Sequence, residues 1–248
     1  MNDGSCGLPN QWRVAENPIV ASQHSVTPEE LLGPLDAVDR KHAPKQLFVS
    51  GDLALLRNGP RVSVVGSRKA TGAGILRTRK LVRLLVEHGA VVVSGLAEGI
   101  DTTAHTEAIE AGGSTVAVLG TPLDQYFPTK NKALQQRIER EHLVVTQFAW
   151  GSSAGKRAFP MRNRTMALLA DATVIIEAGE RSGTIYQGWE ALRLGRTLCI
   201  LESLAKAGPS WCQEMLGYGA QVLSESTREA FFQNLPTGSR AERLEASF

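Results

Sequence analysis

The chain has 248 residues, 42% of them hydrophobic and 21% charged, with a formal net charge of +2. That fits one large globular domain with small additions, and no apolar run approaches the roughly 18 residues of a membrane span. Cys6, Cys199 and Cys212 share no C-x-x-C spacing, which argues against a disulfide framework or zinc site. Cys199 reads as a small core residue.

Met1 to Gln11 is polar, without the basic and then apolar stretches of a signal peptide. A cytoplasmic location with no membrane partner is the expectation. Residues 1–60 form an N-terminal extension and lead-in segment, with a short helix starting at Thr27-Pro28-Glu29-Glu30. From Val62 the texture changes to short apolar runs: 62–65, 91–93, 115–119, 143–145, 173–176, 197–201 and a weaker seventh at 221–223. Unbroken hydrophobicity marks strands buried on both faces, as in a parallel sheet. Amphipathic segments fill the gaps, at 75–85 and near 100–111, 130–140, 162–170, 184–194 and 208–218. This alternation predicts an α/β fold over 61–225: an extended Rossmann-like, doubly wound, mostly parallel sheet. The tail, 226–248, has room for one charged helix after Pro236, and too little chain follows 225 for a helix-turn-helix domain.

Ligands of such sheets collect outside the carboxyl ends of the strands. Here those ends carry Gly66-Ser67-Arg68, Ser94-Gly95 through Gly99, and Arg181-Ser182-Gly183-Thr184. Glycine turns that open helices present backbone N–H groups and the positive dipole end to an oxyanion. Neither G-x-G-x-x-G nor a Walker motif is present. Two segments are free of acids: Arg61, Arg68, Lys69, Arg77, Arg79, Lys80 and Arg83, then Lys156, Arg157, Arg162 and Arg164. Unmixed positive charge predicts an anionic partner. Arg164 reads equally as a phosphate ligand or as a bridge to Asp171 or Glu177. Asp101 and His105 share a helix face; they read as a helix-capping acid hydrogen-bonded to the histidine, with an acid–base pair as the other reading.

The ordered series Val65-Gly66-Ser67-Arg68, Ser94 to Asp101 with His105, Leu119-Gly120, Pro128 with Asn131, Phe159-Pro160-x-Arg162-Asn163-Arg164 and Glu177-Ala178 with Ser182-Gly183-Thr184 resembles the DprA/Smf family of DNA-processing proteins over about 43–223. The resemblance implies single-stranded DNA binding, delivery of that DNA to a RecA-type recombinase, and a homodimer. It places Gly66, Ser67, Arg68, Ser94, Gly95, Arg162, Asn163, Ser182, Gly183 and Thr184 in the phosphate pocket. Lys156 and Arg164 join them from the second basic segment. Phe127, Phe148 and Phe159 are stacking candidates or core. The chain departs from the family pattern at 184–190, which is bulkier, and at 203–208, which lacks a glycine- and asparagine-rich loop.

Two other functions fit the fold: a sensor of a small nucleotide, and a nucleoside-monophosphate phosphoribohydrolase of the LOG type. Arg164, Met166 and Ser182-Gly183-Thr184 are similar to parts of the latter's motif, but Gln187 stands where its catalytic glutamate belongs. An amide cannot act as general base. No catalytic residue, metal or cofactor is expected.

Overall fold

Five strands, β3 (Arg61–Val65), β4 (Val91–Ser94), β5 (Thr115–Leu119), β6 (Leu143–Thr146) and β7 (Ala172–Ile175), are buried at every residue, as their unbroken apolar runs require. With β8 (Thr197–Leu201) and β9 (Gln221–Leu223) they form one parallel array. The computed structural model describes residues 24–57, 59–153, 155 and 157–238.

Two strands not expected from the sequence, β1 (His24–Val26) and β2 (Leu47–Gly51), add antiparallel to the β6 edge. The order is β1-β2-β6-β5-β4-β3-β7-β8-β9. The lead-in segment therefore belongs to the sheet. Between β1 and β2 run the short helices α1 (Pro28–Leu32) and α2 (Ala37–His42); the expected Thr27 start is a capping box closed by Glu30.

Side chains alternate across the sheet and divide the core into layers. Val62, Val64, Val92 and Val174 meet helices α3 (Gly72–Glu87) and α4 (Ile100–Glu110) through Leu81, Val82, Leu85, Ile100, Ala104 and Ala108. Ile138 of α5 (Lys132–Glu141) covers Ala117, Leu119 and Val144. On the opposite face, Val65, Val93, Val116, Val118 and Ile175 meet Met166, Leu168 and Leu169 of α6 (Ala158–Leu169). Helices α7 (Thr184–Arg193), α8 (Glu202–Ala207) and α9 (Ser210–Gly217) complete this half. Helix α10 (Arg228–Gln233), the last among the described residues, buries Phe231 and Phe232 in the α3 layer, while most of the segment expected to be helical after Pro236 lies outside the described residues. Those two apolar anchors fix the position of α10.

Much of the first acid-free segment is balanced in three dimensions, which leaves less of its charge for an anionic partner than the sequence implies. Arg61 is 3% exposed and chelates Asp171, 110 residues away, with Nε and Nη2 at 2.9 and 2.7 Å. That pair joins the beginnings of β3 and β7. Arg79 and Arg83 both face Glu107 on α4, and Lys80 faces Glu225. Sequence charge counting cannot see acids brought in by another helix.

A candidate phosphate-binding cleft

Strand order reverses at β3, whose neighbours β4 and β7 are followed by chains that leave in opposite directions. A cleft of about 670 Å³ opens beyond the carboxyl ends of these strands. Its wall is made by the Gly66–Lys69 turn, the first turns of α4 and α6, and the Gly179–Thr184 loop. A second lobe of about 250 Å³ runs toward Gly120 and Phe127, and shares Arg68, Lys69, Ala97, Phe159 and Arg162 with the first. The lobes form one groove.

The Gly66 turn is held by packing and by hydrogen bonds. A Cβ at Gly66 would strike the Ile100 side chain and the Glu177 carbonyl. Thr184 Oγ1 donates to Gly66 O at 3.1 Å, and the Ile100 amide donates to Ser67 O. The amides of Ser67, Arg68 and Gly183 make no hydrogen bond among the described residues. Unpaired amides on residues that line the cleft, with arginines nearby, suit an oxyanion.

The helix starts themselves are less available than their glycines suggest. Thr71 caps α3, and its amide and hydroxyl are bound by Glu177 from the end of β7, the hydroxyl at 2.6 Å. The Ala97 amide donates to Asp101 in the α4 turn, and the Thr184 amide donates to Ser182 Oγ. Exposed arginine and lysine side chains carry more of the cleft's positive character than helix dipoles do. Arg68 is exposed, forms no salt bridge among the described residues, and stands with Cζ 5.6 Å from the Phe159 ring centre. Lys69 and Arg181 are exposed on the same rim. Arg181 was visible in the sequence beside Ser182 but was not assigned to the site.

Arg162 is of another kind. It is 6% exposed, and its Nη1 donates to Gly95 O and Val118 O while Nε donates to Asn163 Oδ1. A Cβ at Gly95 would occupy the guanidinium's own space. Burial lowers the Arg162 pKa and raises that of Asp101, each opposed by the other's charge. No described residue accepts from Arg162 Nη2. Arg162 lines both lobes from beneath.

Several expected residues take other roles. Ser94 is fully buried and donates to Val64 O at 2.7 Å, so its hydroxyl does not reach the cleft. Arg164 points away and binds Glu190 through Nε and Nη2 at 3.0 and 3.2 Å; neither Asp171 nor Glu177 is its partner. Asn163 lines the cleft but uses its amide to hold Gly183 O at 3.2 Å. His105 does not bond Asp101: its Nδ1 meets Thr115 Oγ1 at 2.7 Å, and burial pushes its pKa down to about 3. Phe159 and Phe127 flank the second lobe, ring centres 5.4 Å apart, whereas Phe148 lies elsewhere, beside Trp150. Lys156 falls outside the described residues. Burial raises the Cys199 thiol pKa to about 12, which fits a core residue. Among the described residues no group of His, Cys, Asp and Glu could hold a metal ion, and no helix is long and apolar enough to cross a membrane.

The fold is that of a Rossmann-like protein, with a groove lined by arginine, lysine and glycine turns at the topological switch of its sheet. The chain belongs to the DNA recombination-mediator protein A family, whose profile matches residues 24–234. It is 38% identical over 192 residues to DNA processing protein DprA of Streptococcus pneumoniae, covering 77% of this chain and 67% of that one. It is 36% identical over 179 residues to protein Smf of Synechocystis, covering 71% and 45%. The chain thus spans from 45 to 67% of the length of these relatives. Among solved structures it is similar to DprA from Streptococcus pneumoniae, with 33% identity, a TM-score of 0.72, and coverage of 86% of this chain and 74% of that one. It is also similar to DNA processing protein A from Helicobacter pylori, with 28% identity, a TM-score of 0.70, and coverage of 85% and 95%; that protein has a single-stranded DNA binding mode.

Proposed function

We propose that this protein binds single-stranded DNA by its phosphates in the two-lobed groove. In the cytoplasm, as a homodimer, it would act in DNA processing, recombination or uptake by delivering the strand to a RecA-type recombinase. Gly66, Ser67, Arg68, Gly95, Arg162, Asn163, Ser182, Gly183 and Thr184 build the phosphate pocket, with Lys69 and Arg181 on its rim.

The observation that carries this reading is Arg68. It stands unpaired where the two lobes join, next to three amides without partners and against the Phe159 ring. A single nucleotide fills one lobe; a strand runs through both. Phosphates are gripped without reading sequence, and aromatic faces receive bases. Family membership and the binding mode of the Helicobacter pylori relative point the same way.

No hydrolysis is assigned. The position a phosphoribohydrolase would fill with a carboxylate holds Gln187, and the cleft's buried acid, Asp101, is engaged by Arg162 and the Ala97 amide. A nucleotide sensor would use the first lobe alone. Fluorescence anisotropy with a labelled oligonucleotide separates these readings. Tight binding that nucleoside monophosphates displace only weakly supports the strand. Full displacement by a monophosphate at its own micromolar affinity supports the sensor, and release of free base supports the enzyme.

A further inference from the structure

Gln187 lies one turn into α7, is 1% exposed, and lines the first lobe. Both its side-chain atoms, Nε2 and Oε1, are buried without a hydrogen-bond partner. Other buried side chains leave a single atom unpaired, such as Ser63 Oγ, His105 Nε2 and Trp211 Nε1, and none of these lines the cleft. Gln187 therefore holds an empty donor and an empty acceptor side by side at the ligand site. A buried polar group without a partner is costly, so an unpaired carboxamide calls for a partner from the ligand.

We propose that Gln187 forms a nucleobase subsite, receiving the edge of a base whose phosphate sits at the Gly66–Arg68 turn. This deepens the strand-binding reading and rests on it. Thr184 and Gln187 are three apart on one helix face, so the Gln187 backbone lies about 4.5 Å further along α7 than the residue that stitches the phosphate turn. Met166 and Pro160 line the same lobe and offer apolar surface suited to a base plane. A carboxamide offers one N–H and one carbonyl in a plane, which matches an adjacent acceptor and donor on a base edge, as glutamine matches adenine. A phosphate presents acceptors only and would leave Oε1 unpaired. Ordering a base here gives the groove a base-dependent contribution that backbone contacts lack.

The test is a double-mutant cycle between protein and ligand. Wild type and Gln187→Leu are titrated with dA, dC and dT 15-mers and with an all-abasic 15-mer, and each variant's melting temperature is recorded. Replacing an unpaired buried amide by an apolar group of similar shape is close to neutral for folding, and Gln187→Met serves as a second variant. The expected result is a loss of about fivefold or more for the tightest-bound homopolymer, with abasic binding unchanged within twofold. Equal loss for base-bearing and abasic strands, or no loss for either, overturns the subsite and leaves strand binding standing. Failure of wild type to bind any of the four overturns the strand reading itself.

Discussion

Arg68 and Arg162 read alike in the sequence, as phosphate-pocket arginines at a glycine turn after a strand and at the start of a helix, yet their surroundings separate their roles. Arg68 is exposed and held only by the Phe159 face, a contact worth about 0.5–1 kcal/mol. Arg68→Ala is expected to leave the melting temperature within a degree or two. It should weaken DNA binding about tenfold, because a charge-assisted phosphate contact contributes about 1.5–3 kcal/mol. Arg162→Ala instead removes the guanidinium that holds Gly95 O, Val118 O and Asn163 Oδ1 and offsets the buried Asp101, so unfolding in urea should show a loss of about 1.5–3 kcal/mol as well as weakened binding. A pure binding defect with native stability would show that Arg162 is not the scaffold described above. His105 supplies a pH test. Its folded pKa of about 3 lies below the usual 6.5, so the unfolded chain takes up the proton first. The neutral ring's contribution is complete above pH 6.5 and falls away as pH drops from there toward 3. Wild-type stability should decline through that window more steeply than that of His105→Gln, as denaturant titrations at pH 7 and pH 4.5 will show. Such distinctions were not legible beforehand, because Ser94, His105 and Arg164 meet partners on other strands and helices, which only the fold brings beside them.

Among elements, five of the seven parallel strands were readable as runs buried on both faces, and β8 and the weaker β9, exposed at one end, followed from the same alternation of apolar runs with helical segments. The edges were not. His24–Val26 and Leu47–Gly51 are short, partly exposed and paired antiparallel, so they carry no such run. Six residues of α10 are too few to display a helical period; only the adjacent Phe231 and Phe232 mark it. Yet α10 closes the α3 layer, with Phe232 stacked on His88 at 3.9 Å between ring centres. Phe232→Ala should therefore cost about 3–5 kcal/mol in urea unfolding. Because neither lobe of the groove includes α10, oligonucleotide affinity measured well below the melting temperature should stay within twofold.

For the molecule as a whole, net charge was the least informative number, since +2 does not show that cations such as Arg61, Arg79, Lys80 and Arg83 face acids elsewhere in the fold. What matters for a polyanion is the subset facing the groove. Arg68, Lys69, Arg162 and Arg181 line it, with Arg162 offset in part by Asp101, so three to four phosphates can be neutralised. Counterion release from a single strand gives a slope of about −0.7 per phosphate, so the logarithm of the binding constant should fall with the logarithm of salt at about −2 to −3. Removing Arg181 should reduce that slope by about 0.7, whereas joint replacement of Arg79, Lys80 and Arg83 by glutamine should leave it unchanged, because Glu107 and Glu225 already answer those cations. A slope that shrinks with the α3 triple variant would move the DNA path onto the outer face of that helix. A flat salt response would remove phosphate gripping as the basis of recognition.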